Sequence, residues 1–280
     1  MKAIAVEKLI HGTLIREGAG VKLRRYIGAD KTNDFEPILL LDYFDSTDPL
    51  DYVAGFPPHP HRGFETITYL MEGCIIHEDN KGNKGVINAG DVQWMTAGKG
   101  IIHSEMPSSS TGRLQGLQLW LNLPAAEKMR EPHYQEKLSD QLPIEVKKSG
   151  ATIKVIAGTT DQGLSSPVRE IATRPLFLDI TLPGDVSIQQ TIPDDYQAIL
   201  FVIQGAVKIG KQQVDEGILA SLTQQGGVLQ IEGKGNKERN HCLLIAAAKL
   251  HEPIARYGPF VMNTQEEIAQ AVHDFRQGHF

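Results

Sequence analysis

The chain has 280 residues, of which 41% are hydrophobic and 22% are charged. This composition supports a substantial apolar core, and it is not that of a disordered chain. Lys and Arg number 28 against 34 Asp and Glu, so the formal net charge is −6. Because no excess of basic side chains is available to neutralise phosphates, the balance argues against a general binder of nucleic acid or anionic membranes.

Cysteine usage and hydropathy indicate a reducing location inside the cell. The two cysteines, Cys74 and Cys242, are too far apart for a CxxC redox motif or a dense disulfide framework. The N-terminal segment has no apolar run of signal-peptide length, and no segment approaches the roughly 18 apolar residues of a membrane span. We therefore expect a soluble, cytoplasmic protein with no membrane partner.

Runs rich in Val, Ile, Leu, Thr and Tyr, bounded by turn residues, predict strands along most of the chain. The first set of predicted strands is 21–27, 66–71, 74–78, 85–88, 91–96, 100–105 and 114–123. The second set is 152–157, 176–182, 186–191, 197–204, 206–209, 217–222, 229–232 and 242–247. These predictions indicate an all-β fold.

One helix is predicted near the C-terminus. Thr264 is a suitable N-cap residue, and apolar side chains recur on one face of the segment that follows it. Gly278 would end this helix. Weaker helical segments are expected at 125–129 and 134–138.

The two sets of strands share a strand–Gly–strand rhythm. Gly73 aligns with Gly205 at an offset of 132 residues, with similar apolar segments on either side. Such an internal repeat predicts one β-barrel plan used twice. We expect domains at 1–145 and 146–280, with the terminal helix in the second.

Histidines and carboxylates in the first half have a spacing that suits metal ligands. His59 and His61 are separated by one residue, so an extended backbone directs both side chains to the same face. His103 and Glu105 repeat this spacing. Three neutral imidazoles and a carboxylate suit Fe(II), Mn(II), Ni(II) or Cu(II).

Other positions are not expected to bind metal. At the offset of the repeat, Thr191, Pro193 and Gln197 correspond to the two histidines of the first pair and to Glu65. The second barrel is therefore predicted to be metal-free. His77 precedes an acidic residue near a polar hairpin, and we interpret it as solvated surface.

The sequence resembles the pirin family of the cupin superfamily, most clearly from Phe56 to Pro107. This segment reads FPPHPHRGFETITYLMEGCIIHEDNKGNKGVINAGDVQWMTAGKGIIHSEMP. The tail from His251 to Thr264, HEPIARYGPFVMNT, is also similar to pirins. The resemblance implies a bicupin: two stacked, jelly-roll-like β-barrels with a short C-terminal helix and a metal in the N-terminal barrel.

The resemblance also implies a set of ligands. The family's ligands carry over onto His59, His61, His103 and Glu105, with Fe(II) as the expected metal and Mn, Ni, Cu or Zn as alternatives. Glu65 falls on the glutamate of the general cupin pattern H-x-H-x-x-x-E. We expect Glu65 to contact the ligands, with direct ligation as the alternative.

Two functions follow from the resemblance. The first is an iron-dependent dioxygenase of the quercetin 2,3-dioxygenase type, which acts on a flavonol with O₂ while Glu105 or Glu65 accepts the hydroxyl proton. The second is a non-catalytic, iron-dependent, redox-sensing regulator that binds a transcription factor or a metabolic enzyme, with a nuclear location if the source is eukaryotic. Neither function includes direct binding to nucleic acid. Arg62, Gln118 and Trp94 are candidates for the pocket wall, with a core or surface role as the alternative.

Overall fold

A computed structural model of the chain describes residues 2–28, 34–235 and 239–280. These residues form 24 strands, one α-helix and three short 3₁₀ helices. The strands are β1 (Val6–His11), β2 (Thr13–Glu17), β3 (Val21–Ile27), β4 (Ile38–Ser46), β5 (Phe56–His61), β6 (Phe64–Glu72), β7 (Cys74–Asp79), β8 (Lys84–Asn88), β9 (Val92–Thr96), β10 (Ile101–Ser108), β11 (Leu114–Asn122), β12 (His133–Lys137), β13 (Ile144–Val146), β14 (Thr152–Ala157), β15 (Leu176–Leu182), β16 (Ser187–Ile192), β17 (Tyr196–Gln204), β18 (Ala206–Ile209), β19 (Gln212–Asp215), β20 (Ile218–Leu222), β21 (Gly227–Gly233), β22 (Asn240–Ala248), β23 (Ala255–Tyr257) and β24 (Phe260–Met262). The helix is α1 (Gln265–Arg276), and the 3₁₀ helices are Pro49–Asp51, Ala125–Glu127 and Ser139–Gln141.

One compact unit, the N-terminal barrel, comprises residues 13–139 and 250–280. Its larger sheet has the strand order β12-β9-β6-β11-β4-β3-β2, and its smaller sheet has the order β5-β10-β7-β8. Neighbouring strands are antiparallel, as in the pairing of β10 with β5 and β7. The short strands β23 and β24 pair with each other and pack against α1.

The second compact unit, the C-terminal barrel, comprises residues 2–12 and 140–249. Its sheets have the orders β1-β20-β17-β22-β15-β14-β13 and β16-β21-β18-β19, so each strand has a counterpart in the N-terminal barrel. Gly73 joins β6 to β7 and Gly205 joins β17 to β18, with φ angles of 85° and 80° that favour glycine. The predicted repeat and the all-β bicupin fold are confirmed.

The compact units differ from the predicted domains, 1–145 and 146–280, at both ends of the chain. Strand β1 pairs with β20, so the start of the chain completes the larger sheet of the C-terminal barrel. Residues 250–280 belong to the N-terminal barrel, where Ile268 and Ala271 of α1 are buried with Phe260. The internal repeat could not reveal that each end of the chain belongs to the barrel of the other half. The register and partner of an edge strand are set by long-range pairing.

The predicted C-terminal helix is confirmed, including its cap. The Thr264 hydroxyl accepts a hydrogen bond from the Glu267 backbone N–H, and the Glu267 carboxylate accepts one from the Thr264 N–H. Segment 125–129 holds only a 3₁₀ turn. The helical prediction for 134–138 was wrong, because that segment lies largely in β12 and pairs with β9. None of the helices among the described residues is long and apolar enough to cross a membrane.

Each predicted strand overlaps an observed strand. The strands that were not predicted are β1, β2, β4, β5, β12, β13, β19, β23 and β24. Several of these are short or lie near a sheet edge, where a local hydrophobic pattern is weak. Strand β5 contains Pro57, Pro58 and Pro60, which cannot donate backbone hydrogen bonds.

Candidate metal centre

Three histidines of the N-terminal barrel converge on one point. His59 and His61 lie on β5, and His103 lies on β10 directly opposite His59. One ligand nitrogen from each of the three lies within 4.8 Å of the others. Among the residues that the structure describes, this is the one group of three or more His, Cys, Asp or Glu side chains arranged to hold a metal ion. We refer to it as the three-histidine cluster.

The electrostatics of the cluster favour neutral imidazoles. Burial holds the pKa of His61 well below its usual value, and the nearby His59 adds to this effect. Burial also holds the pKa of His103 well below its usual value, with further lowering by the neighbouring imidazoles. Neutral imidazole is the form that binds metal.

Unpaired ring nitrogens show that the cluster fits an ion. His61 Nδ1 and both ring nitrogens of His103 are buried with no hydrogen-bond partner among the described residues, which is unusual for buried polar atoms. His59 Nδ1 lies 2.9 Å from the Pro57 carbonyl oxygen. Because a carbonyl only accepts, His59 Nδ1 carries the proton and Nε2 is left as the ligand atom.

Glu105 lies near the cluster without being a member of it. It is 1% exposed, two residues beyond His103 on β10. Thr68 Oγ1 donates to Glu105 Oε1 at 3.1 Å, and Gln118 Nε2 donates to Oε1 and Oε2 at 3.1 and 2.9 Å. These bonds fix the carboxylate but leave acceptor capacity on Oε2.

Glu65 points away from the cluster. On β6, Phe64 lies 5.1 Å from the His61 ring and Thr68 bonds Glu105, so even-numbered side chains face the site. The side chain of Glu65 therefore projects from the opposite face of the strand. There Thr96 Oγ1 donates to Glu65 Oε1 at 2.7 Å. Burial raises the pKa of Glu65 to about 7, against the lowering effect of the Thr96 hydrogen bond.

A cavity of about 380 Å³ adjoins the cluster within the N-terminal barrel. Its wall includes His59, His61, Glu17, Arg25, Asp42, Phe56, Gln118, Trp120 and Arg256. Of the earlier candidates for the wall, Gln118 lies there. Arg62 instead pairs with Asp274 of α1 at 2.7 Å, and Trp94 is buried in β9 outside this wall.

The interpretation of His77 as solvated surface was wrong. Its side chain is 1% exposed, and its ring lies 5.6 Å from that of His103 and 4.9 Å from that of Tyr134. Strand β7 pairs with β10 so that His77 stands opposite Glu105. The nearby polar hairpin was misleading, because alternate residues of β7 face inward even next to an exposed tip.

Other wall residues were missed entirely. Trp120 and Arg256 are in contact, with the guanidinium carbon 5.1 Å from the centroid of the indole ring. The signal for Trp120 was the alternation along β11, where Gln118 and Trp120 interrupt an apolar series. Arg256 had no local signal, because β23 is only three residues long.

Comparison with known proteins agrees with this architecture. The family models for pirin and for the pirin C-terminal cupin domain match residues 20–121 and 177–280. A pirin-like protein of Caulobacter vibrioides is 42% identical over 275 residues, covering 98% of this chain and 98% of that protein. The chain belongs to the pirin family. Human pirin is 45% identical over 264 residues, covering 93% of this chain and 88% of the human protein.

Among solved structures, a quercetin 2,3-dioxygenase from Acinetobacter baumannii superposes on this pirin-family chain with a TM-score of 0.90. The two are 30% identical, and the alignment covers 100% of this chain and 99% of the other. The match therefore extends over both cupin barrels of the pirin fold.

In the C-terminal cupin of this pirin-family chain, the residues that align with His59, His61 and Glu65 have other surroundings. Thr191 donates to Asp161 through both its hydroxyl and its backbone N–H, each at 2.9 Å. Gln197 is fully buried. The interior of this barrel is apolar, with Leu200, Leu229 and other aliphatic side chains in one continuous cluster. That it binds no metal remains a prediction.

Proposed function

We propose that this pirin is a metal-dependent dioxygenase that acts on a flavonol, of the quercetin 2,3-dioxygenase type. The observation that carries the proposal is the three-histidine cluster in the wall of a cavity of about 380 Å³. Cavities of this size commonly hold small organic ligands. The likeness to the Acinetobacter baumannii quercetin 2,3-dioxygenase supports this chemistry.

The residues fit a divalent metal. His59, His61 and His103 would hold it, and Glu105 would be the fourth ligand; Fe(II) is the expected ion, since this N₃O set suits it. When bound, the metal would supply a Lewis acid, a template for the substrate and a redox-active centre. Its identity in the cell is part of the proposal.

The protein's own groups would bind the substrate and accept its proton. Phe56 and Trp120 offer apolar wall surface to a flat ring system. Glu105 would accept the hydroxyl proton of the flavonol, because it lies behind Gln118, a residue of the cavity wall that donates to its carboxylate. Glu65 is less suited to accept this proton, because its side chain projects from the face of β6 that points away from the three-histidine cluster.

Oxygen uptake with a flavonol tests the proposal. Protein loaded with Fe(II) should consume O₂ and flavonol together, while His103→Ala protein should consume neither. A metal-loaded protein that binds flavonol without consuming O₂ would contradict the dioxygenase. That result would favour the alternative, a non-catalytic regulator that responds to the oxidation state of its iron.

A further inference from the structure

The cavity wall contains a guanidinium group that forms no ion pair with any carboxylate of the described residues. Arg256 Nη1 donates to the Leu39 carbonyl oxygen at 3.1 Å, and its guanidinium carbon lies over the Trp120 ring. Phe64 packs on Trp120 with ring centroids 4.4 Å apart. This contact holds the indole ring that lies under Arg256 in place. Within the described parts of the chain Arg256 forms no ion pair, and most of its N–H donors remain available.

The neighbouring cation of the wall, Arg25, is fully paired with carboxylates. Arg25 donates through Nε and Nη2 to both oxygens of Asp42, at 2.8 and 2.7 Å, and through Nη1 to Glu17 at 2.9 Å. The bidentate contact with Asp42 and the single hydrogen bond to Glu17 together engage both acidic side chains of the wall. Arg256 is therefore left as the wall cation whose charge no adjacent carboxylate pairs with directly.

The surroundings of Arg256 favour the binding of an anion. Burial and the nearby charge of Arg25 both lower its pKa, while Asp42 opposes them. A cation that has lost part of its hydration beside a like charge gains more from an anionic partner than a freely solvated one does. Charge-assisted hydrogen bonds to a guanidinium are also directional, which suits a carboxylate or a phenolate.

The contacts of Trp120 set an upper limit on the distance between Arg256 and the three-histidine cluster. The Trp120 ring lies 5.2 Å from the His61 ring and 5.1 Å from the Arg256 guanidinium carbon. The separation of Arg256 from the His61 ring is therefore at most about 10 Å. A molecule of one or two fused rings is small enough to lie between Arg256 and the cluster within that limit.

We propose that Arg256 is the anion-binding residue of this pocket and selects flat aromatic ligands with an ionised oxygen group remote from the metal centre. The charged group meets Arg256 while the opposite end of the ligand faces the three-histidine cluster. The inference deepens the proposed function, since it names the substrate class of the same cavity. It concerns binding alone, so it stands or falls separately from O₂ chemistry.

The test is calorimetric titration of the metal-loaded protein with 2-naphthoate and with its neutral analogue, 2-naphthamide, without O₂. We expect naphthoate to bind at least about tenfold more tightly than naphthamide, as loss of a hydrogen bond to a charged group implies. Arg256→Met should remove that difference. The control Arg276→Met changes an exposed arginine at the end of α1 and should preserve it. Thermal unfolding of each variant shows that the fold is intact.

Three outcomes would overturn the inference. These are equal affinity for the two ligands, naphthoate binding unchanged by Arg256→Met, and an equal loss in Arg276→Met. If naphthoate instead binds through the metal, its affinity will fall on metal removal and not on substitution of Arg256. Preference for naphthoate that depends on Arg256, in a protein that does not oxidise flavonols, would support this inference while refuting the proposed dioxygenase.

Discussion

The Gln118 amide nitrogen donates hydrogen bonds to both carboxylate oxygens of Glu105, at 3.1 and 2.9 Å. Gln118 lines the cavity, so this contact connects the carboxylate on β10 to the wall where a substrate would bind. The geometry makes Glu105 the better candidate for the proton acceptor. Glu65, on the far face of β6, lacks such a connection to the cavity.

We therefore predict that Glu105→Gln loses far more activity than metal. The amide keeps the shape and an oxygen donor, but it removes the negative charge and the basicity. The three histidines would still hold the ion. Turnover should fall by about 10²–10⁴, the typical effect of removing a general base. Metal content and initial O₂ uptake measure the two effects, with Glu65→Gln as the control. Normal turnover in Glu105→Gln beside an inactive Glu65→Gln would reverse the two roles.

A second prediction concerns stability and pH at Glu65. Its pKa is raised from 4.5 to about 7 in the fold, so the folded state binds more protons than the unfolded state across that window. Stability from this group is fully present below pH 4.5 and is lost as the pH rises through 7. Wild-type protein should therefore lose about 2–3 kcal/mol more than Glu65→Gln between pH 5 and pH 8.

Denaturant unfolding of both proteins at the two pH values measures this difference. Comparing the two proteins cancels the contributions of the other titrating groups. If wild type and Glu65→Gln lose stability in parallel, the carboxyl group is not protonated in the folded protein near neutral pH.

A third prediction tests the ligands. His59→Ala and His103→Ala should each abolish stoichiometric metal binding, because a cluster of three loses a ligand. The fold should persist, since each barrel has an apolar core of its own. His273→Ala, which changes an exposed histidine on α1, is the matched control. Elemental analysis that finds one tightly bound metal per chain in His59→Ala would contradict the assignment.

A fourth prediction concerns a buried lysine beside the site. Lys128 is 1% exposed, and its ammonium donates to the carbonyls of Gly63 and Val261 and to Asn122 Oδ1 at 2.7, 3.0 and 2.6 Å. Lys128→Met should lower the free energy of unfolding by about 2–5 kcal/mol, because three buried acceptors lose their donor. Exposed Lys81→Met should have little effect. Equal stability of the two variants by denaturant unfolding would show that these hydrogen bonds contribute nothing net.

The metal-ligand pattern was visible in the sequence because it depends on local geometry. One intervening residue puts His59 and His61 on the same face of an extended strand, whatever that strand pairs with. The spacing of His103 and Glu105 follows the same rule. The repeat around Gly73 and Gly205 was also local, since a left-handed turn between two strands selects glycine in both barrels.

The role of Glu65 could not be predicted in the same way. The cupin pattern gives its spacing from the histidines, but a turn at Gly63 separates β5 from β6. The direction of the Glu65 side chain therefore depends on how β6 enters its own sheet. His77 was misinterpreted for a related reason, because only the pairing of β7 with β10 shows that it is buried.

By itself the sequence determined the all-β class, the doubled barrel, the capped terminal helix and the histidines that form the cluster. Each of these depends on side-chain periodicity or on contacts within a few residues. The tertiary structure alone decided which barrel each chain end completes, which carboxylate is held by Gln118 of the cavity wall, and that Arg256 contacts Trp120. The pairing of β1 with β20 and the contact of Arg256 with Trp120 join residues more than a hundred positions apart. All three features depend on strand pairing between separate segments, which local patterns do not encode.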